Sequence, residues 1–241
     1  MRTPTRVSAI QHFEDAAQSY GCTPELAQYI VGLTSDIGRD IIPHIIYAID
    51  AAPAMFEAAR SKLVSTTIDD SLRFDVMQAG KLSFSDDTFA NSFTNLGILF
   101  FADGVQAAKE IFRTLRPGCI ATVTSWADLG YLDIVRKAQA ALRPDAPQYS
   151  IPINESWFSH THIEDILRAG EFTSIEVHEK EVHMGASSFV GVCELLSTSF
   201  HSVYKDWDTE EQASIKAQLL HFSEPVAVIK FQTRLMELVF L

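Results

Sequence analysis

The stretch ANSFTNLGILFFADGVQAAKEIFRTLRPGCIATVTSW (90–126) decides the fold class of this chain. Its ends, ANSFTNLGI (90–98) and CIATVTSW (119–126), are short runs typical of strands. Between them, GVQAAKEIFRTL (104–115) has the apolar spacing of an amphipathic helix, and a proline and a glycine follow it as a stop. A strand, a helix and a strand in this order predict a parallel βαβ unit, since parallel strands need a crossover connection.

The pattern repeats on the N-terminal side of this unit. HIIYAID (44–50) is an apolar, β-branched run that ends in an acid, and LRFDVMQ (72–78) is a second predicted strand. PAMFEAARSKL (53–63) lies between them and predicts a helix with proline in its first turn. Strands that alternate with helices of this length predict an α/β fold, with a doubly wound, mostly parallel sheet and helices on both faces.

The flanking segments are mainly helical in pattern. We predict one domain over residues 1–241, with N-terminal helices in 1–40, a βα core in 41–128, and helices with closing strands in 129–241. The predicted helices are 8–20, 25–33, 131–142, 162–170 and 207–222, and the predicted strands are 174–184 and VAVIKF (226–231). RLMELVFL (234–241) fits either a helix or a strand.

Composition excludes several classes of function. The formal charge is −12, with 19 Lys and Arg residues against 31 acids, and a nucleic-acid-binding protein needs a basic face. The three cysteines are far apart and form no zinc spacing with histidines, so we expect neither a disulfide framework nor a metal site. No apolar run is long enough to span a membrane. We therefore expect a cytoplasmic protein.

Candidate binding residues stand where the predicted strands end, because ligands of doubly wound sheets bind at the carboxyl ends of the strands. These residues are Asp50, Gln78, Asn95 and Trp126. A carboxylate such as Asp50 can accept hydrogen bonds from both hydroxyls of a ribose. An equally open interpretation is that Asp50 caps the helix that follows it.

Four blocks of sequence resemble the class I S-adenosylmethionine-dependent methyltransferases, in particular the small-molecule O-, N- and S-methyltransferases of fungal secondary metabolism. YAIDAAPAMFEAAR (47–60) resembles the ribose-binding acid and its helix. MQAGKLSFSDDTFANSFTNLGILFF (77–101) carries an L-x-F-x-D-x-x-F signature, and AAKEIFRTLRPGCIATVTSW (107–126) carries E-x-x-R-x-L-x-P-G. PINESWFSHTHIEDILRAGEFTSIEV (152–177) is similar to the late, substrate-side segment of that family.

The sequence departs from this family where the cofactor loop is expected. The family has a strand and a V-L-D-x-G-x-G-x-G loop before the ribose-binding acid. Here residues 33–50 read LTSDIGRDIIPHIIYAID, and Gly38 is their only glycine. Such glycines let backbone N–H groups approach the amino-acid end of the cofactor. A further departure is Gln78, which stands where the family has an acid that meets adenine. Its carbonyl oxygen can still accept that hydrogen bond.

Loss of a central strand leaves a gap in the sheet. One solution is that HIIYAID (44–50) moves into the vacated place. Another is that a second copy of the chain supplies a strand, which would make an exchanged homodimer.

These observations leave three hypotheses about function. The first is an enzyme that no longer methylates, uses no cofactor, and promotes cyclisation or isomerisation of an apolar small molecule. Its pocket residues would be Phe13, Tyr20, Asn95, Phe100, Trp126 and Trp157, and ordinary core packing is the alternative role for the aromatic ones.

The second hypothesis is a methyltransferase that binds S-adenosylmethionine through Asp50, Gln78 and Asn95. His12 and His160 are the available bases, with a surface or capping role as the alternative. The third hypothesis is a non-catalytic pseudo-methyltransferase that binds a related enzyme.

Overall fold

The computed structural model describes residues 45–63, 72–150, 153–184, 200–223 and 231–240, together with residues 191, 193, 194, 196 and 197. The strands are β1 (Ile46–Asp50), β2 (Leu72–Val76), β3 (Phe89–Asn95), β4 (Leu115–Trp126), β5 (Ile175–Met184) and β6 (Phe231–Phe240). The α-helices are α1 (Pro53–Leu63), α2 (Gly104–Thr114), α3 (Gly130–Leu142), α4 (His160–Ala169), α5 (His201–Tyr204) and α6 (Thr209–Ser223). Two short 3₁₀ helices are η1 (Ile98–Phe100) and η2 (Glu155–Phe158).

The described strands form two sheets. β1 pairs with β2 in parallel, and the second sheet has the order β3-β4-β6-β5. β3 and β4 are parallel, whereas β6 runs antiparallel to both β4 and β5. The predicted α/β fold with parallel βαβ units is therefore confirmed. Within the described part of the chain β1 pairs with β2 alone, and the move of HIIYAID (44–50) into the vacated place stays a prediction.

Most element boundaries agree with the sequence patterns, and the exceptions have local causes. The strand predicted over 90–98 ends at Asn95, because Leu96 adopts the left-handed conformation with φ of 49°. The closing strand is the C-terminal segment Phe231–Phe240, so the described part of RLMELVFL (234–241), residues 234–240, is a strand. Of the strand predicted at VAVIKF (226–231), Phe231 lies in a strand, as the first residue of β6, and 226–230 lie outside the described residues. The helices predicted at 8–20 and 25–33 also lie outside them.

One hydrophobic core forms between the larger sheet and two helices. Ala121 and Val123 of β4 are fully buried and pack in one cluster with residues of α2 and α4. Alternation along the strand directs Thr122 and Thr124 to the opposite face. Gly170, which ends α4, lies so close to α2 that a Cβ there would be 2.4 Å from the Cβ of Ala108. Close packing of two helices over this face of β4 therefore explains the burial of Ala121 and Val123.

A second core is made by helices. It joins residues of α3, α5 and α6 around Leu196 and Phe200, and Arg143 pairs with Glu211 while its guanidinium lies 4.5 Å from the centre of the Trp207 ring. Two clusters are compatible with one domain, and the single-domain assignment of 1–241 stays a prediction. None of the described helices is long and apolar enough to cross a membrane.

The L-x-F-x-D-x-x-F segment is held by one arginine of α2. Arg113 donates to the carbonyl oxygens of Leu82 and Phe84, to Asp86 and, from two nitrogens, to Glu110. Glu110 in turn accepts the backbone N–H of Leu82 at 2.7 Å. The hydrogen bond from Arg113 holds the pKa of Glu110 below its usual value. The two signatures are thus parts of one structural clamp between 82–86 and α2.

Candidate functional site

The carboxyl ends of β1 and β2 bring Asp50 and Gln78 to one edge. The N–H of Met77 donates to the backbone carbonyl of Asp50 at 3.0 Å, which fixes the two strand ends side by side. The side-chain Oδ1 of Asp50 accepts the N–H of Ala52 at 2.8 Å, just before α1. This local bond closes a turn before α1, and a helix-capping role for Asp50 stays a prediction. Binding of ribose by Asp50 and of adenine by Gln78 stays a prediction.

The carboxyl ends of β3 and β4 are more tightly organised. Asn95 is opposite Thr124 in the register of the two strands. The hydroxyl of Thr124 donates to Oδ1 of Asn95 at 2.9 Å and accepts the N–H of Leu96 at 3.0 Å. Thr124 is fully buried, whereas Asn95 is exposed. A buried hydroxyl therefore holds an exposed amide and the strained Leu96 in place.

The predicted aromatic residues of the pocket are packed to different degrees. Phe100 in η1 and Trp126 at the end of β4 are partly buried and pack against the sheet core. Trp157 in η2 is 9% exposed, and a Cβ on Gly104 would lie 2.8 Å from its ring. Its packing against the start of α2 is that of a core residue. Contact of these three side chains with a substrate remains a prediction.

The structure places one of the two candidate bases. His160 begins α4, and its Nδ1 lies 3.7 Å from an oxygen of Glu179 on β5, with half of the side chain exposed. His12 lies outside the described residues, as do Phe13 and Tyr20. Among the residues that are described, no group of His, Cys, Asp or Glu is arranged to hold a metal ion, and Cys119 and Cys193 are free thiols.

Three aromatic rings connect the two strand pairs. Tyr47 of β1 contacts Phe84 and Phe89, with ring centres 5.1 and 5.8 Å apart, and Phe84 contacts Phe89 at 4.7 Å. Tyr47 lies near the start of β1 and Phe89 is the first residue of β3. The contact therefore joins the amino-terminal ends of these strands, away from Asp50 and Asn95.

Asp50 and Gln78 are the described residues that would hold the adenosine half of S-adenosylmethionine, the cofactor that the family resemblance implies. Asp50 and Gln78 stand at adjoining strand ends, as ribose and adenine recognition requires, although one oxygen of Asp50 already accepts the N–H of Ala52. For the amino-acid half, the sequence before β1 offers Gly38 in place of a glycine-rich turn. The residues before position 45 lie outside the described part of the chain, so the absence of a site for the amino-acid half stays a prediction from the sequence.

Thr124 is the residue of this edge that the sequence patterns did not single out. It stands in CIATVTSW (119–126), where Thr122 and Ser125 are also buried. The sequence feature that could have identified Thr124 is a hydroxyl residue within a mostly apolar strand that is predicted to be buried, because a buried hydroxyl needs a hydrogen-bond partner. A shallow surface depression of about 380 Å³ is lined by Tyr204 of α5 and by Gln212, Ala213 and Lys216 of α6.

Comparison with known sequences points to methyltransferases over part of the chain. Residues 30–123 match the model of a methyltransferase domain. An uncharacterized protein of Mycobacterium tuberculosis is 25% identical over 127 residues, which cover 52% of this chain and 44% of that protein. Methyltransferase GfsG of Streptomyces halstedii is 30% identical over 82 residues, or 34% of this chain and 30% of that protein. The chain thus spans less than half the length of the curated relatives that it matches.

Comparison of structures extends over the whole chain. The crystal structure of the [4+2]-cyclase SpnF superposes with a TM-score of 0.58 at 12% identity, covering 98% of this chain and 97% of that one. With the parallel βαβ units described above, this likeness shows that the chain has the Rossmann-like fold of the class I methyltransferases.

Proposed function

We propose that this chain is an enzyme of natural-product biosynthesis that binds an apolar small molecule and promotes its cyclisation or isomerisation without S-adenosylmethionine. The observation that carries the proposal is an imbalance between the two strand pairs. The edge of β3 and β4 is ordered by the buried Thr124, while the sequence before β1 has Gly38 in place of a cofactor loop. In this proposal the edge of β3 and β4 is the substrate side, and the chain lacks the backbone N–H groups that would hold the methyl donor.

The fold is compatible with such chemistry, because the protein SpnF, which shares it, is a [4+2]-cyclase. In a cyclisation of this kind new σ bonds replace π bonds within one molecule, and no atom or electron is gained or lost. The protein then needs to hold the substrate in a reactive conformation, exclude water and donate hydrogen bonds to polarised groups. Partly buried aromatic side chains such as Phe100 and Trp126 would supply the apolar wall.

A second candidate function is methylation of a small molecule with S-adenosylmethionine. It is favoured by the match of residues 30–123 to a methyltransferase domain and by the likeness to Methyltransferase GfsG. Asp50 and Gln78 would then bind ribose and adenine, with Asn95 on the sulfonium side. Asp50 would be essential for this function and dispensable for the first.

Calorimetric titration of the purified chain with S-adenosylmethionine and S-adenosylhomocysteine distinguishes the two functions. We expect no binding of either compound at concentrations up to about 1 mM, which corresponds to a binding free energy weaker than about −4 kcal/mol. Micromolar binding that is lost in Asp50→Ala would establish the second function instead. Asp103→Ala is the matched control, because Asp103 caps α2 as Asp50 precedes α1 and lies at no candidate binding position.

Stable binding of a second protein, with no binding of either nucleotide, would support a role as a non-catalytic partner. A homodimer that exchanges a strand next to β1 is a separate proposal. Analytical ultracentrifugation that shows a strict monomer would rule it out.

A further inference from the structure

Thr124 uses its hydroxyl group in a way that determines the orientation of Asn95. The hydroxyl oxygen accepts the N–H of Leu96 at 3.0 Å, and the Leu96 N–H also lies 3.2 Å from the backbone carbonyl of Thr124. The single hydroxyl proton then needs an acceptor, because Thr124 is fully buried and water does not reach it. Oδ1 of Asn95, at 2.9 Å, is that acceptor.

The consequence is a fixed direction for the Asn95 amide. If the amide were rotated by half a turn, its NH₂ group would face the hydroxyl and the hydroxyl proton would lose its partner. With Oδ1 directed at Thr124, the Nδ2 group points away from the buried strand. Of the residues that the structure describes, none accepts a hydrogen bond from this Nδ2. Asn95 therefore presents the donor Nδ2 in a fixed direction at the carboxyl end of β3.

We infer that Thr124 is a positioning residue that makes the Asn95 amide a fixed hydrogen-bond donor, and that the ligand of this site is an apolar compound with a carbonyl oxygen. The inference rests on the proposed function, since it names the substrate class of the same site. An oriented donor costs no reorganisation when a carbonyl arrives, whereas a freely rotating amide would lose entropy on binding. A hydrocarbon of the same shape would leave the donor unpaired and bind more weakly.

The experiment compares two probes that differ only at the carbonyl group. The probes are chalcone and the hydrocarbon in which the carbonyl of chalcone is a methylene, and their dissociation constants are measured by fluorescence titration. We expect the wild-type chain to prefer the ketone by about fivefold, equivalent to about 1 kcal/mol. Thr124→Val should reduce this preference to near unity. Asn95→Asp, which has the same shape but no donor, should do the same.

Two variants serve as controls. Thr122→Val removes a hydroxyl that is 3% exposed on the same face of β4, and Thr124→Ser keeps the hydroxyl of the proposed positioning residue. Both should retain the preference for the ketone. In the free protein, the ¹⁵N relaxation of the Asn95 side chain should show an ordered amide in the wild type and in Thr124→Ser and a mobile one in Thr124→Val. A purely structural role for Thr124 would weaken both probes equally and leave their ratio unchanged.

The outcomes separate this inference from the proposed function. Absence of a ketone preference in the wild-type chain, or an equal preference in Thr124→Val, would overturn the inference whatever the nucleotide titration gives. Micromolar S-adenosylmethionine binding together with a ketone preference that depends on Thr124 would remove the proposed function and leave the inference intact.

Discussion

The β1–β2 pair and the β3–β4 pair are both parallel, and their side chains lie in different surroundings. Residues 121–125 of β4 are all buried, as expected for a parallel strand covered on both faces. On β1, Tyr47 and Ile49 are 40% and 38% exposed, and Val76 of β2 is 57% exposed. β4 lies between two strands and under two helices, whereas β1 has one strand partner among the described residues. An apolar run thus predicts a strand, and its neighbours decide how much it contributes to stability.

The largest expected effect comes from removing the cover of β4. Gly170→Ala places a Cβ 2.4 Å from the Cβ of Ala108 and 2.9 Å from its carbonyl carbon, so α2 and α4 must separate. We expect a loss of about 3 kcal/mol in the free energy of unfolding, measured with urea. In the control Gly80→Ala the new Cβ meets only Gln106 at 3.5 Å, and we expect a change within about 1 kcal/mol. Equal effects would contradict the packing described for Gly170.

Matched truncations of one valine in each strand pair test the comparison directly. Val123→Ala empties space in the core of β4 and should cost about 2 kcal/mol. Val76→Ala in β2 removes a side chain that is 57% exposed and should change stability by less than about 0.5 kcal/mol. Urea unfolding of both variants measures the difference. A similar loss in both would mean that β2 is as well covered in solution as β4.

The clamp of Arg113 predicts acid sensitivity in the β3–β4 half. The hydrogen bond from Arg113 lowers the pKa of Glu110 in the folded protein. The ionised Glu110 therefore stabilises the folded state above the pKa that Glu110 has in the unfolded chain, and this stabilisation is lost as the pH falls through the lower, folded pKa. Stability should therefore fall below about pH 4. Glu110→Gln should cost about 1.5 kcal/mol at neutral pH and flatten this acid slope.

The control for this measurement is Glu155→Gln. Glu155 is 79% exposed and its only described ion pair, with Arg136, is at 4.0 Å. Its replacement should leave the pH dependence of thermal unfolding unchanged. An acid slope that persists in Glu110→Gln would show that other carboxylates determine it.

The smallest expected effects concern Asp103, which precedes α2, and Asp50, which precedes α1. Asp103 accepts the N–H of Gln106 at 2.9 Å, and Asp50 accepts that of Ala52 at 2.8 Å. Asp103→Ala should cost about 1 kcal/mol, and Asp50→Ala no more than that, because α1 packs beside a less covered strand pair. Asp50→Asn keeps the acceptor and should be close to neutral. A much larger loss in Asp50→Ala would indicate that β1 is better covered than its exposure suggests.

Parts of the site could be predicted and others could not. The spacing of strands and helices placed Asp50, Gln78, Asn95 and Trp126 at strand ends, because parallel strands direct their carboxyl ends to one edge. The bond from the Ala52 N–H to Asp50 was not predicted, and the two open roles of Asp50, ribose binding and helix capping, stay predictions. The partnership of Asn95 with Thr124 joins residues 29 positions apart, and no local pattern reveals such a contact.

The amino-acid sequence by itself determined the βαβ order, the start and end of α1 and the glycine-poor stretch before β1, since periodicity, proline and glycine act locally. Tertiary structure alone decided which apolar strand is covered, that the C-terminal segment pairs between β4 and β5, and which way the Asn95 amide faces. The physical reason is that burial and side-chain hydrogen bonds depend on residues distant in the chain, whose approach is set by packing and not by local preference.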